Sequence, residues 1–277
     1  MEKFKSDPYN SKNRLITKEE IYNLFSELGL MNHDYFHKTY KLTRLDLYQR
    51  AFIHTSYTKL KDYKEYENTH NYLELQDLSY EKIEFLGDAI LGSIISAYLY
   101  NRYVDIHDQC EGFLTKIKIK LICGEQLAYL SKCIGFGKYV IISEHIDRLC
   151  DGRNNKNILE DTFEAFIGAL YLDTQDIKLV EIFIITIVEK LVDFSDMILN
   201  DTNYKDQLLK YYQHNYKCNP IYNTSKSNDG EFTCHITFKD PDTNIIECIC
   251  KSTSTSKKKS EQMAAKKALI KYHVISD

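Results

Sequence analysis

Two short stretches of the chain place carboxylates among apolar residues at helical spacing. They are Glu81–Asp88, reading EKIEFLGD, and Asp161–Gly168, reading DTFEAFIG. Clustered carboxylates repel one another and lose hydration together unless a cation neutralises them. The pattern therefore predicts a divalent-metal site, and oxygen ligands favour Mg²⁺ or Mn²⁺ over zinc. At about 100° per residue, the acids of each stretch would share one helical face: Glu81, Glu84 and Asp88 in the first, Asp161 and Glu164 in the second.

Each acid taken alone has a second interpretation, which is the solvated face of an amphipathic helix. Five acids together, in two apolar segments that both contain glycine, favour the metal site instead. Hydrolysis of a phosphodiester is chemistry that such a site can perform. A bound ion makes a water molecule nucleophilic near neutral pH and relieves the charge on the leaving 3′ oxygen.

At these residues the chain resembles the ribonuclease III family, whose nuclease domain carries the motifs E-[RK]-[LI]-E-F-L-G-D and D-T-x-E-A-x-[IL]-G. The family's intervening E-G-x-[LM]-[ST] segment appears as Glu111–Thr115, and the resemblance covers most of the chain from about Leu45 onward. It implies a nuclease that uses Mg²⁺, with Mn²⁺ as a substitute. It also implies site roles: catalytic and metal-binding carboxylates at Glu84, Asp88, Asp161 and Glu164, and flanking acids that shape the site or contact RNA at Glu81 and Glu111.

The composition of the 277-residue chain is that of a globular protein with one large or two modest domains. It has no charge-free apolar run of about 18 residues, and its N-terminus lacks the apolar core of a signal peptide. We therefore expect an intracellular, cytoplasmic protein with no membrane partner. Its eight cysteines are scattered, which predicts reduced, mostly buried thiols. Frequent Tyr, Asn, Ile and Lys suit an AT-rich genome such as that of a large DNA virus, whose protein would act in the host cytoplasm.

Charge is divided unevenly along the chain. The net charge is −4, but residues 202–277 carry +4 and residues 1–201 carry −8. An acidic body repels nucleic acid unless metal ions fill its site, whereas a basic C-terminal part attracts phosphates of any sequence.

Hydrophobic periodicity predicts an all-α nuclease domain over residues 45–199, preceded by an N-terminal helical extension over residues 1–44. In the extension, Thr17 followed by Glu20 predicts a capping box on a helix that ends near Gly29. Within the nuclease domain we expect helices at residues 45–54 and 112–130, besides the two acidic helices. A polar stretch at about 57–78 reads as an insertion. Two interpretations fit it equally, a segment over the entrance of the cleft and a solvated excursion.

His54 lies near the end of one predicted helix and invites a catalytic interpretation. A lone histidine near a helix end more often binds local backbone groups, so we favour a structural role for it.

After a break at residues 200–203 the periodicity changes. The pattern predicts helices at 204–216 and 260–273, with strands at 221–225, 231–239 and 245–251 between them. This α-β-β-β-α order resembles a double-stranded RNA-binding domain over residues 202–277. The expected fold class is thus multidomain: an all-α ribonuclease III-type nuclease domain followed by a small α+β RNA-binding domain.

Three successive lysines open the last predicted helix. Lys257, Lys258 and Lys259 oppose the helix dipole, which favours negative charge at that end, so an RNA phosphate is the expected partner. The alternative is a solvated lysine run. Two departures from the family pattern weaken minor-groove contacts: Leu209–Lys210 replaces a polar pair on the first helix, and a short loop at residues 225–230 replaces G-P-x-H.

The resulting hypothesis is a metal-dependent endoribonuclease that cuts double-stranded RNA as a homodimer through its nuclease domain. The alternatives are a non-catalytic protein that binds or sequesters duplex RNA on a nuclease scaffold, and a metal phosphohydrolase acting on nucleotides. A dimer is favoured because the first acidic helix carries more apolar residues than one core contact needs, although a purely intramolecular core also fits. The residues concerned are Leu86, Gly87, Ile90, Leu91, Ile94 and Ile95. Gly87 would in addition permit the close approach of a partner helix.

Overall fold

A computed structural model of the chain describes residues 7–199, 203–227, 229–239 and 246–275. The chain divides into two compact units, Met1–Met197 and Ile198–Asp277. The predicted break at residues 200–203 lies outside the described residues except for Asn203.

The N-terminal unit is helical, as predicted. Its only β-pairing among the described residues is two isolated bridges, Ile53 with Ile141 and Thr58 with Gln76. The helices are α1 (Lys18–Glu27), α2 (Asp34–Thr39), α3 (Leu45–Arg50), α4 (Glu81–His107), α5 (Glu111–Ile122), α6 (Gly124–Cys133), α7 (Glu144–Cys150), α8 (Lys156–Thr174), α9 (Ile177–Leu191) and α10 (Phe194–Leu199), the last of which crosses the boundary between the units.

Helix α8 is the centre of the N-terminal unit. Its residues from Thr162 to Leu170 are all buried, so helices surround it on every side. The N-terminal extension takes part in the same core: the ring centroid of Phe25 on α1 lies 6.2 Å from that of Phe166 on α8 and 6.0 Å from that of Phe183 on α9. The predicted capping box is confirmed, since Thr17 Oγ1 accepts from Glu20 N and the Glu20 carboxylate accepts from Thr17 N.

A buried polar network fastens the segment before α1 to the loop before α8. The Asn10 amide donates to Asp147 Oδ2 at 2.9 Å, and the Asn13 amide donates to the Ile142 carbonyl at 2.8 Å. Arg153 completes the network by donating to Asn13 Oδ1 at 2.9 Å and to Asp147 Oδ2 at 3.3 Å. Because Arg153 lies just before α8, the start of the second acidic helix depends on residues near the N-terminus.

The predicted insertion at residues 57–78 packs against the N-terminal segment. Tyr57 and Leu75 are buried with Ile53 and Ile141, and the Tyr57 hydroxyl donates to the Leu73 carbonyl at 2.6 Å. None of the residues in this small core is one of the six predicted site acids.

Two predicted features of the nuclease region, and one of the whole chain, differ from the structure. The helix predicted at 112–130 is two helices, α5 and α6, which meet at Cys123, where the backbone is extended. The helix predicted to reach His54 ends at Arg50. The thiols are all free, as predicted, but five of the eight cysteines are exposed, so the prediction of mostly buried thiols is wrong.

The C-terminal unit has the predicted α-β-β-β-α order. Its elements are α11 (Tyr204–Tyr216), β1 (Ile221–Lys226), β2 (Phe232–Lys239), β3 (Ile246–Ser254) and α12 (Lys257–Lys271). The strands form an antiparallel sheet in the order β1-β2-β3. Tyr212 of α11 and Ala264, Ala265 and Ala268 of α12 pack on Cys234 and Ile236 of β2, which gives this unit its own core.

Candidate active site

The two acidic helices cross at a pair of glycines. A Cβ atom at Gly87 of α4 would overlap the carbonyl oxygen of Glu164, and one at Gly168 of α8 would overlap the carbonyl oxygen of Ile83. The backbones can approach this closely only because both positions lack a side chain. The crossing brings the acids of α4 beside those of α8.

The six predicted acids differ in exposure. Glu164 is 8% exposed, Glu84 and Asp161 are partly buried, and Glu81 and Asp88 are exposed. After burial, the charges of Asp161 on α8 and of Glu81 on its own helix raise the pKa of Glu84, so this side chain is close to acids of both helices. The structure thus brings five of the six acids together.

The protein raises the pKa of the two central carboxyls. Burial, followed by the negative charges of Asp88, Glu160, Glu84 and Asp161, raises the pKa of Glu164 to about 8. Burial and neighbouring acids likewise raise the pKa of Glu84 to about 7. Burial also raises the pKa of Asp161, although a hydrogen bond from Tyr80 opposes the rise. Without a cation, the carboxyls of Glu84 and Glu164 are therefore partly or mostly protonated near neutral pH.

Among the described side chains, no positive group pairs with the central acids of this site. Within residues 7–199, apart from the side chains of residues 105–107, no Lys, Arg or His forms an ion pair with Glu84, Asp88 or Glu164. Nor do three acidic, His or Cys side chains in the described ranges converge closely enough to enclose an ion. Such a set of acids fits Mg²⁺, which keeps several waters and needs only one or two direct carboxylate ligands.

Two residues at the site were not predicted. Glu160, next to Asp161, is close enough to both Asp88 and Asp161 for their charges to raise its pKa, after burial. Its carboxylate occupies the space that a Cβ at Gly124 would need. Tyr80 donates its hydroxyl to Asp161 Oδ2 at 2.8 Å, and burial raises the pKa of this phenol, which keeps it protonated. Glu160 could have been found from the sequence, because it extends the acidic row by one position. The contact between Tyr80 and Asp161 could not, because it joins residues that hydrophobic periodicity does not relate.

Glu111 and His54 lie apart from these contacts. Glu111 begins α5, is exposed and accepts a hydrogen bond from Thr115 Oγ1 at 2.9 Å. It is not among the acids that most raise the pKa of Glu84 or Glu164. His54 Nδ1 accepts from Ser56 N at 3.1 Å and caps a short 3₁₀ turn, as the structural interpretation predicts.

The predicted role of Gly87 in admitting a partner helix is wrong, because Gly87 faces α8 of the same chain. Of the apolar residues predicted as surplus, Leu91, Ile94 and Ile95 are buried in the chain's own core. The exposed face of α4 is a different one. It begins at Phe85, which is 79% exposed, and continues through Ala89, Ser93, Ser96 and Tyr100.

Helix α4 also satisfies a test of length and composition for crossing a membrane. The stretch Glu81–Val104 spans 24 residues with a mean hydropathy of 1.3, and 39% of its apolar window is buried within the protein. A single helix of this kind is weak evidence, because core helices pass the same test.

In the C-terminal unit, the lysine cluster lies at the start of α12, as predicted. Ser256 caps the helix by accepting from Lys259 N at 3.2 Å, so Lys257, Lys258 and Lys259 are its first three residues. All three side chains are exposed. One turn further on, Glu261 pairs with Lys205 of α11 at 2.6 Å.

Comparison with known proteins identifies both units. Residues 45–191 match the family described as Ribonuclease-III-like, and residues 204–272 match the family described as Double-stranded RNA binding motif. The chain belongs to the ribonuclease III family. It is therefore a ribonuclease III-type enzyme, and its C-terminal unit is a double-stranded RNA-binding motif.

Two ribonuclease III relatives differ in how far they match. Ribonuclease 3 of Staphylococcus aureus is 30% identical over 263 residues, which cover 91% of this chain and 95% of that protein. The Probable ribonuclease 3 of Acanthamoeba polyphaga mimivirus is 36% identical over 210 residues, which cover 74% of this chain but only 36% of that protein.

Two solved structures resemble the chain at low similarity. The nuclease domain of ribonuclease III from Campylobacter jejuni has a TM-score of 0.47 at 22% identity and covers 64% of this chain and 99% of that one. Dicer from Pichia stipitis has a TM-score of 0.37 at 22% identity and covers 83% of this chain and 95% of that one.

Proposed function

We propose that the chain is a divalent-metal-dependent endoribonuclease that hydrolyses phosphodiester bonds of double-stranded RNA as a homodimer. The observation that carries the proposal is the acidic crossing of α4 and α8, where the buried Glu164 has no Lys, Arg or His partner among the described side chains. Burying such a charge is costly unless a cation joins it. Membership of the family supports the nuclease activity, and the crossing of α4 and α8 supports the position of its metal site.

Glu84, Asp88, Asp161 and Glu164 would hold the ion, with Mg²⁺ favoured and Mn²⁺ as a substitute. A bound divalent ion makes a water more acidic and stabilises negative charge on the leaving oxygen. The carboxylates of the chain itself would bind the ion, orient the attacking water and exchange protons with it. Glu84 and Glu164, whose pKa values are raised to about 7 and about 8, must release their protons as the ion enters, so metal binding should strengthen with pH.

RNA recognition is assigned mainly to the C-terminal unit. Residues 202–277 carry the +4 charge, and Lys257, Lys258 and Lys259 form the first turn of α12. Ser256 caps the Lys259 N–H, which leaves the N–H groups of Lys257 and Lys258 for a ligand. A phosphate at this helix end would accept hydrogen bonds from these groups and meet three positive charges. The pairing of Glu261 with Lys205 draws that acid towards α11.

Replacing Lys257, Lys258 and Lys259 by Ala is expected to weaken duplex RNA binding and flatten its salt dependence. Each lost phosphate contact should lower the log–log slope by roughly one unit or a little less. Fluorescence anisotropy over a salt series measures both quantities. The charge-matched control replaces Lys266, Lys267 and Lys271, later on the same helix. If both triple variants lose the same affinity and slope, net charge alone is responsible and the cluster has no special role.

The homodimer is assigned to the exposed face of α4. Phe85 follows Glu84 directly and is 79% exposed. Leaving this aromatic ring in water costs free energy that burial against a partner would recover. Pairing two copies over Phe85, Ala89, Ser93 and Tyr100 would bury it and would place two acidic sites side by side. One nuclease unit per chain supplies one cleavage site, so two copies are needed to cut both strands.

Replacing Phe85 by Ala is expected to raise the dimer dissociation constant by roughly 30-fold or more, as for a buried interface anchor worth about 2 kcal/mol. Sedimentation at several concentrations measures this shift. Cleavage should fall at low enzyme concentration and recover at high concentration. Leu149→Ala is the control, since Leu149 is 73% exposed on α7. A wild-type protein that is monomeric at micromolar concentration and still cuts both strands would exclude the dimer.

The whole proposal is tested by incubating the purified protein with labelled duplex and single-stranded RNA, each with Mg²⁺ or with a chelator. We expect cleavage of the duplex with Mg²⁺ alone. Duplex binding without cleavage, at any Mg²⁺ or Mn²⁺ concentration, would favour the non-catalytic alternative. Equal cleavage in the chelator would remove the metal from the mechanism.

A further inference from the structure

Tyr80 connects the two acidic helices through one residue. Its carbonyl oxygen accepts from Ile83 N at 2.8 Å and from Glu84 N at 3.0 Å, which starts α4. Its side chain is 1% exposed, and its hydroxyl donates to Asp161 Oδ2 on α8 at 2.8 Å. Its own N–H donates to the Ile53 carbonyl at 2.9 Å, which fixes the residue from a third side.

A second tyrosine that donates to an aspartate of α8 shows what a purely structural pair looks like. Tyr48 donates its hydroxyl to Asp173 Oδ2 at 3.1 Å. Asp173 also accepts from the backbone N–H groups of Thr43 and Arg44 and from the Thr43 hydroxyl. With four donors, that carboxylate is saturated and holds the start of α3 in place.

Asp161 has a different balance. Among the described residues, Tyr80 is the one side-chain donor to its carboxylate, and the charge of Glu81 acts on it from the other helix. A carboxylate offers about four acceptor sites, so one hydrogen bond to Oδ2 fixes its orientation and leaves Oδ1 open. Groups around a metal site often act in this way, by holding the ligand rather than the ion.

We propose that Tyr80 is a positioning residue: its hydroxyl holds the Asp161 carboxylate so that the open oxygen faces the acids of α4, ready to bind a divalent cation. The inference rests on the proposed metal-dependent function. Tyr80 itself touches neither the ion nor RNA. Its removal should therefore weaken metal binding without changing the affinity for duplex RNA.

The test compares Tyr80→Phe with Tyr48→Phe in the full-length protein. Each change removes one buried hydroxyl that donates to an aspartate of α8. Mn²⁺ affinity is measured without RNA by electron paramagnetic resonance, and duplex affinity is measured in chelator. We expect the Mn²⁺ dissociation constant to rise by roughly 10- to 100-fold in Tyr80→Phe. It should stay unchanged in Tyr48→Phe, and RNA affinity should stay unchanged in both.

A double-mutant cycle establishes that the effect passes through Asp161. In an Asp161→Asn background, Tyr80→Phe should cause no further loss of Mn²⁺ affinity, because there is no carboxylate left to hold. Additive losses, or equal Mn²⁺ affinity in the two tyrosine variants, would overturn the proposal. If wild-type protein binds no Mn²⁺ at all, the proposed metal-dependent function fails instead, so the two failures are distinguishable.

Discussion

Replacing Glu164 by Gln should reduce cleavage of duplex RNA by several orders of magnitude while leaving RNA binding nearly intact. The change removes one negative charge at the helix crossing and hardly alters side-chain volume. A loss of that size is expected when a group that stabilises transition-state charge is removed. Single-turnover cleavage at saturating Mg²⁺ measures it. Glu125→Gln, which removes an exposed carboxylate of α6 paired with Lys156, is the control.

The same variant has a second, opposite signature in stability. The pKa of Glu164 is raised to about 8 in the fold, against 4.5 for the free side chain, so the folded metal-free protein keeps a proton that the unfolded chain releases. Its contribution to stability is therefore fully present below about pH 4.5 and is lost as pH rises to about 8. Glu164→Gln lacks this loss. In chelator, the melting temperature of the variant should gain on wild type between pH 5 and pH 8.

Cleavage within a few-fold of wild type would reject the metal role of Glu164. A melting-temperature difference that does not change with pH would show that the carboxyl is not as strongly perturbed as its burial among acids implies.

Replacing Gly87 by Ala should unfold or severely destabilise the nuclease unit. The new Cβ would overlap the Glu164 carbonyl, which is backbone and cannot rotate away. Separating two packed helices costs about 3 kcal/mol or more, which lowers the melting temperature by roughly 6–12 °C. Cleavage should fall with it, because the acids of α4 and α8 would no longer face each other.

Gly92 provides the control on the same helix. A Cβ there meets only the Lys118 Nζ atom, at 4.0 Å, so Gly92→Ala should stabilise the helix by about 0.5–1 kcal/mol. Calorimetry on both variants gives the comparison. Equal melting temperatures for Gly87→Ala and wild type would mean that the helices are not in contact at this point.

The acidic helices could be predicted from sequence because their signal is local. Glu81, Glu84 and Asp88 repeat at helical spacing, and so do Asp161 and Glu164, so the shared face follows from geometry alone. The role of Gly87 could not be assigned in the same way. A glycine on a helix indicates that another segment can approach closely, but it does not identify that segment. Here the segment is the backbone at Glu164, which lies 77 positions further along the chain.

The boundary between α5 and α6 was missed for a related reason. The apolar periodicity continues through Cys123, and that residue makes no side-chain cap that would mark the break. Tyr80 was missed because its hydroxyl acts on Asp161 through space, and nothing in a run of neighbours points to a partner 81 positions away. In both cases the deciding contacts are between residues far apart in the chain, and a single sequence does not show which distant residues meet.

The network of Asn10, Asn13, Asp147 and Arg153 ties residues outside the matched family span to the helical core. The match to the family model begins at residue 45, yet the loop that leads into α8 is bound to residues 10 and 13. A fragment trimmed to the matched span would keep all six acids but would remove Asn13 as an acceptor for Arg153 and Asn10 as a donor to Asp147. It would also strip Phe25 from the aromatic core. The stretch that matches the family model is therefore shorter than the stretch that this protein needs to complete its helical core.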